Sequence, residues 1–339
     1  MKEVVDVDNS AANYKELLKH YLESQDEQAL YGVEKVSKSF IKNEILPEEI
    51  VNLHIQAMGE INPDLKADYK HSMNFLLEAM IFYGLAMAEI PLLKEEKHVL
   101  KSEISVAASM QETLLGTTKP EIEGLDIGII SVPAHQMNGD YHHFIKGKDG
   151  SLGIAIADVV GKGIPAALCM SMIKYSMDSY PEESMSPKSI LKNLNRVVER
   201  NVDPSMFITM CYAHYKPQES KLYLSSAGHE PGYYYNAKTD TFYEIETKGL
   251  VLGVSPDTEY AQYELPINKN DMIILLTDGV TECRDGERFI ESKEVLDIIK
   301  QYADLPAQQM VEGVYKHFEK LQDFQLRDDF TLLVLRKDV

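Results

Sequence analysis

Four aspartates stand where a carboxylate can be held as a fixed chemical group: Asp140 in MNGDYHHF, Asp158 in IAIADVVGKGIPAAL, Asp278 in MIILLTDGVTE and Asp328 in LRDDFTLLV. Each lies at a strand end beside a glycine or a second acid. An apolar strand delivering an aspartate to its tip aims the carboxylate rigidly, and a neighbouring glycine lets backbone or a ligand come close. Carboxylates gathered with no Lys or Arg between them repel one another unless a cation sits among them. An all-oxygen donor set of this kind suits Mg²⁺ or Mn²⁺ rather than zinc. Any single Asp-Gly after a strand is ordinarily a turn; the chemical signal lies in the four together and in their order.

The elements that must position these acids follow Pro120. Apolar and alternating runs predict strands at 125–131, 140–146, 151–157, 206–215, 221–227, 232–236, 241–246, 259–265, 271–277 and 330–336. Helical periodicity predicts helices at 164–180, 187–200, 292–302 and 307–321. Many antiparallel-looking strands with helices inserted in pairs imply an α+β sandwich, two sheets inside and helices outside. The spacing does not suit a regular βαβ winding.

Upstream the texture is helical. Tyr14, Leu17, Leu18, Tyr21 and Leu22 make one apolar face, Leu30, Val33, Val36, Phe40 and Ile41 a second, and Ile50, Leu53, Ala57 and Met58 a third behind a Pro47-Glu48-Glu49 start. A fourth helix is predicted from Asp68 through Tyr83. Four short helices suit a small bundle, or a half-bundle that completes itself by dimerising. From Pro91 onward Leu93, Leu100, Ala107 and Leu114 recur every seven residues beside Leu92, Val99 and Val106, which fits either a coiled-coil seam or a helix lying on its own neighbouring domain. Gly116 to Pro120 ends it. The chain therefore divides into a helical regulatory or dimerisation region at 1–90, a linker helix at 91–119 and a catalytic region at 120–339.

Composition narrows the class. The 34 Lys+Arg and 54 Asp+Glu of the 339 residues leave a formal charge of -20 with no basic arm, which disfavours nucleic acid and anionic membrane as partners. Cys169, Cys211 and Cys283 are odd in number and form no CxxC pair, so neither a disulfide framework nor a zinc knuckle is expected, and a reducing cytoplasm is the simplest compartment. MKEVVDVDNS has no apolar core of a signal peptide, and no stretch reaches the apolar length of a spanning helix.

Taken together, the four acid motifs and the stretches MSMIKYSMDS, VDPSMFITM and SSAGHEPG resemble the PPM (PP2C-type) protein serine/threonine phosphatases, in the bacterial branch that regulates the general stress response and sporulation. The resemblance covers 120–339, and the order of helical region, linker helix and catalytic region is similar to stress-response members of that branch over nearly the whole chain. It implies a PP2C-like β-sandwich flanked by helices and a site holding two Mn²⁺ or Mg²⁺ ions. Asp158 matches the carboxylate bridging both metals, the main-chain carbonyl of Val159 a ligand of one, Asp278 and Asp328 ligands of the other, and Asp140 an acid holding the pair partly through water. Gly161 and Gly163 match the loop into the helix at 164–180, and Gly139 and Gly279 the close turns. Two such cations would bind the phosphoryl oxygens and activate a water for in-line attack at phosphorus. The resemblance further implies a serine-phosphorylated anti-sigma factor antagonist as substrate and a switch protein as activator at the N-terminal region.

One departure from the wider family is visible: Val160 stands where many eukaryotic members have a histidine acid, and no arginine matches their phosphate-binding residue. His135, His142, His143 and His229 are candidate proton donors by composition alone, with a strand role expected for the His142-His143 pair. Met170, Met172 and Met177 read as core, and the three cysteines as poor nucleophiles. The tyrosines at 233–235 alternate across a strand, which predicts one or two exposed rings. Two other functions compete. A histidine-kinase-like ATP-binding regulator leaves Asp278 and Asp328 unexplained, and a signalling module without catalysis leaves all four acids unexplained; Lys162 is not followed by Ser or Thr, so no Walker A is present.

Overall fold

The computed structural model describes residues 2–24, 32, 36, 39–40, 45–64, 66, 69, 73, 94–161, 163–180, 186–203, 205–286, 288–324 and 326–338. They divide into two compact units, 1–100 and 101–339. Most of the expected helices at 30–41 and 68–83, with Leu92 and Leu93, lie outside the described residues. No helix among the described residues is long and apolar enough to cross a membrane.

In the first unit, α1 (Lys2–Ser24) and α2 (Pro47–Ile61) pack together. Pro47 opens α2 as its sequence predicts, with the Glu49 carboxylate accepting from Leu46 N–H at 2.8 Å. The Tyr14 hydroxyl and His54 Nδ1 share a 2.8 Å hydrogen bond, and Phe40 and Ala57 are buried. The linker helix α3 spans 94–115.

The second unit is a four-layer sandwich. One sheet joins β1 (Leu125–Val132), β6 (Gly232–Asn236), β7 (Thr241–Ile245), β9 (Met272–Leu276) and β12 (Phe330–Lys337) in the order β1-β12-β9-β6-β7. The other joins β2 (Asp140–Lys146), β3 (Leu152–Val159), β4 (Ile208–Lys216), β5 (Lys221–Ala227) and β8 (Tyr263–Pro266) in the order β2-β3-β4-β5-β8. Every pairing is antiparallel. The pleat puts alternate residues of each strand on opposite faces. Ile154 and Ile156 of β3 thus meet Leu333 and Leu335 of β12 between the sheets, while Ala155 and Ala157 face the helices. On that outer side lie α4 (Ile164–Asp178) and α5 (Pro187–Asn201), which bury Met170, Ile173, Leu191 and Leu194. Against the first sheet lie α7 (Ser292–Gln301) and α8 (Ala307–Leu321), which bury Ile299, Met310, Val314 and Phe318.

Element order follows the sequence closely, with local differences. Residues 259–262 run as a loop before β8, because Tyr260 turns inward and is buried against the core under α5. A one-turn helix α6 (Asp278–Thr281) and a small hairpin, β10 (Arg284–Asp285) with β11 (Arg288–Phe289), are too short to carry a periodic signal. The tyrosines at 233–235 do not expose a ring. Tyr233 is buried, Tyr234 and Tyr235 are half-buried, and their hydroxyls donate to Asp271 at 2.6 Å and Asp240 at 2.8 Å. The three cysteines are buried and free, burial raising the thiols of Cys211 and Cys283 to about 12.

Candidate active site

Strand pairing explains why acids far apart in sequence meet. β2 and β3 are antiparallel neighbours in the register that sets Asp140 opposite Asp158. In the facing sheet β9 is antiparallel to β12, so the end of β9 and the start of β12 lie together. One residue, Thr277, separates Asp278 from the end of β9, and one, Asp329, separates Asp328 from the start of β12. The Thr277 N–H donates to Thr331 O at 3.1 Å, and the Thr331 N–H returns a 3.1 Å bond to Thr277 Oγ1.

The carboxylates sense one another. Asp158 is raised to about 7, first by burial and then by the charges of Asp278, Asp328 and Asp329. Asp278 is raised to about 6, again first by burial and then by Asp328, Glu282 and Glu230. Asp140 is 4% exposed and its carboxyl is pushed well up by burial, although Thr277 Oγ1 donates to its Oδ2 at 2.7 Å and Thr331 also bonds it. Like charges held this close in a partly dry site favour a proton or a cation between them. Among the described residues no three His, Cys, Asp or Glu side chains are already closed into a cage. The donor set is oxygen-only, and its charge fits hard divalent cations rather than a soft metal.

Glycines make the approach possible. A Cβ on Gly139 would sit 2.9 Å from Asp329 Oδ2 and 3.5 Å from Asp158 Oδ1, and one on Gly279 would sit 1.9 Å from Asp329 O. Gly161 and Gly163 carry φ of +137° and +77°, in the loop that leads from Asp158 into α4. Val159 is buried, and its N–H donates to Gly139 O at 3.2 Å, tying the two acid-bearing loops together.

Sequence reasoning missed Asp329. Its carboxylate accepts from Ala134 N–H at 2.7 Å and from Gly139 N–H, so it pins the loop before β2 to the start of β12. The Asp-Asp doublet was the available signal. Thr277 and Thr331, which position Asp140, were also missed because an isolated threonine carries no pattern. Of the named histidines, His229 is buried, bonded to Thr209 Oγ1 at 2.9 Å and lowered by burial to about 4, so it stays neutral at ordinary pH. His143 stacks on Tyr141 and meets Asp178 at 3.0 Å, a structural role. His142 is half-buried rather than freely solvated, and burial lowers it to about 4. His135 is exposed and lines, with Gly139, Gly163 and Asp329, a cavity of about 560 Å³.

This sandwich, with acids from both sheets converging at one end, defines a PP2C-type phosphatase domain. The solved SiaA-PP2C domain of Pseudomonas aeruginosa superposes with a TM-score of 0.62 at 20% identity, covering 72% of this chain and 99% of that one. The phosphatase domain with a regulatory fragment of SpoIIE from Bacillus subtilis gives 0.54 at 16% identity, with 64% of each chain covered. The family model Stage II sporulation protein E (SpoIIE) matches residues 148–338, and the model Phosphoserine phosphatase RsbU, N-terminal domain, matches 12–86. The phosphoserine phosphatase RsbU of Bacillus subtilis (strain 168) is 53% identical over 326 residues, 96% of this chain and 97% of that protein. The chain belongs to the RsbU family of phosphoserine phosphatases. It is a phosphoprotein phosphatase of the metal-dependent PP2C type, and neither the ATP-binding nor the non-catalytic alternative describes it.

Proposed function

We propose that this phosphatase removes phosphate from the serine of an anti-sigma factor antagonist of the RsbV class in the cytoplasm. In this reading a switch protein of the RsbT class, docking on the helical region at 1–90 of a homodimer, turns it on through the linker helix at 91–119. The reading rests on one observation above all: two different sheets deliver these acids to one end of the sandwich, Asp140 opposite Asp158 in the β2–β3 register and Asp278 and Asp328 beside the ends of β9 and β12, close enough that the charges of Asp278 and Asp328 add to burial in raising Asp158. Asp158, Asp278, Asp328 and Asp140, with the carbonyl of Val159, would hold two Mn²⁺ or Mg²⁺ ions. Bound there, such ions neutralise phosphoryl charge and activate water for in-line displacement of the serine oxygen.

The chain's own residues do the rest. Thr277 and Thr331 hold Asp140 in one rotamer, and Asp329 holds the loop that presents it. The glycines at 139 and 279 keep side chains out of the space between the acids. The backbone turn at Gly161 and Gly163 opens the approach on the α4 side. Neutral, buried His229 supplies no proton, so the leaving serine oxygen draws its proton from solvent or from His135 at the cavity mouth. The test is hydrolysis of a phosphoserine-bearing antagonist by the full chain, with Mn²⁺ and with or without the switch protein. Mn²⁺-dependent release of phosphate, increased by the switch protein, is expected; equal turnover of an unrelated phosphoserine protein under the same conditions would overturn the substrate assignment.

A further inference from the structure

The linker helix α3 carries one buried polar side chain. Gln111 is 6% exposed, whereas Val99, Leu100, Val106 and Met110 around the same helix are more than half exposed. The residues that α3 turns toward the sandwich are Ile104, Ala107, Ala108, Gln111 and Leu115, a stripe at helical spacing that shares only Ala107 with the seven-residue apolar series. An amide buried in the middle of such a stripe must find partners, because a donor or acceptor left unpaired away from water keeps its full desolvation penalty.

Gln111 finds them on the main chain of one residue. Its Nε2 donates to Asn138 O at 2.8 Å, and its Oε1 accepts from Asn138 N–H at 3.1 Å. A side-chain amide is thus paired to a peptide edge as a neighbouring strand would be. The same Nε2 lies 3.7 Å from Met170 Sδ on α4. Asn138 in turn accepts from Asp140 N–H through Oδ1 at 2.9 Å and donates through Nδ2 to Ser131 Oγ at 3.0 Å. Ser131 and Thr331 share a 2.9 Å bond, and Thr331 belongs to the pair that holds Asp140. The next residue, Gly139, is gripped by Asp329. On either side the helix stands off the sandwich over cavities of about 560 Å³ and 510 Å³, the second lined by Gln111, Asn138 and Asp140.

We infer that Gln111 is a positioning residue for the metal-holding loop: its paired hydrogen bonds to Asn138 fix the backbone from which Asp140 is presented. The inference rests on the reading that Asp140 helps to hold the cations. Gln111 touches no reacting atom. Its effect is to reduce the number of conformations the 134–140 loop samples, and so to raise the affinity with which the acids take a divalent ion; outer partners of metal ligands commonly carry such effects.

The test compares the full chain with Gln111→Leu, which keeps the volume and loses both bonds, and Gln111→Glu, which keeps the acceptor for Asn138 N–H and loses the donor. Mn²⁺ binding is measured directly by calorimetric titration, alongside the Mn²⁺ dependence of phosphate release and the metal-free unfolding midpoint. Gln111→Leu should weaken Mn²⁺ binding about 10- to 100-fold, with most of kcat restored at saturating Mn²⁺ and a smaller loss in Gln111→Glu. Unchanged Mn²⁺ affinity in both variants would overturn the assignment, whatever happens to the unfolding midpoint. If Gln111→Leu does not fold, Gln111→Glu alone decides, and wild-type affinity in it overturns the assignment. Absence of Mn²⁺ binding by the unmutated chain would remove the metal reading itself, and this inference with it.

Discussion

Helices α8 and α4 each cover a five-stranded sheet, yet they are fastened in different ways. The N-terminus of α8 is stitched to β1: Asp126 Oδ2 accepts from Ala307 N–H at 2.6 Å, and the Gln308 side chain bonds both the N–H and the O of Ile129. Gly128 has no room for a side chain, since a Cβ would lie 2.1 Å from Ala307 O. Below this joint Met310, Val311, Val314 and Phe318 are all fully buried. α4 begins instead at Gly163, with a positive φ and open space around it, and leaves Ile164, Leu168 and Tyr175 at 48%, 66% and 65% exposure. The acids divide along the same line. Asp278 and Asp328 flank strands of the firmly covered sheet, and Asp158 leads into the glycine loop of α4. The two halves of the site thus differ in how the covering helix is held: by hydrogen bonds to the sheet beside Asp278 and Asp328, and by an open glycine loop beside Asp158.

The largest expected effect tests the half beside the hydrogen-bonded helix. Asp278→Asn removes a charge with little change in volume, and Mn²⁺-dependent phosphate release should fall about 10³-fold, several kcal/mol of lost transition-state stabilisation. The circular dichroism spectrum should be unchanged. A variant that keeps most of its rate at saturating Mn²⁺ would show that Asp278 holds no cation.

Next in size is the contrast between the helices themselves. Phe318→Ala should cost about 3–5 kcal/mol in urea unfolding, because the vacated volume is enclosed on all sides. Leu168→Ala should cost no more than about 0.5 kcal/mol, as expected of an exposed position. Comparable losses in the two would mean that the exposed face of α4 is covered in solution, and would erase the contrast.

The smallest effect is the pH dependence of the metal-free protein. Asp158 and Asp278 titrate near 7 and 6 in the folded chain and near 4 when unfolded. Each of these two acids therefore contributes stability that is fully present below about pH 4 and lost as pH rises through its folded value, opposite in sign to buried His142 and His229, whose lowered values favour the native state as pH rises. Mn²⁺ should raise the unfolding midpoint more at pH 7.5 than at pH 5.5. The share due to the acids is read by comparison with Asp158→Asn, whose metal-free midpoint should fall less, or climb more, from pH 5.5 to 7.5 than that of the unmutated chain; the same slope in both would contradict the elevation of Asp158.

Much of this molecule was readable from residue order. The strands at 140–146, 221–227 and 232–236 and the helix at 307–321 fall where their periodicity predicts, because burial on one face imposes a repeat of 2 or 3.6 that a linear pattern records. The four acids were legible for a similar local reason, an apolar run ending in Asp beside Gly or Asp. The structure alone decided that Asp140 faces Asp158 in register, that Asp329 grips Gly139, and that Gln111 pairs with Asn138. None of these has a sequence signature: the partners are 18, 190 and 27 residues apart, and a hydrogen bond between distant residues leaves no periodicity in either segment. The linker helix shows the division most plainly. Its seven-residue apolar series fits either a coiled-coil seam or a helix lying on its own neighbouring domain, and could not say which face the sandwich takes. In the structure a stripe with Gln111 at its centre faces the sandwich and most of the apolar series is exposed, since a buried amide with two main-chain partners is as well satisfied there as leucine would be.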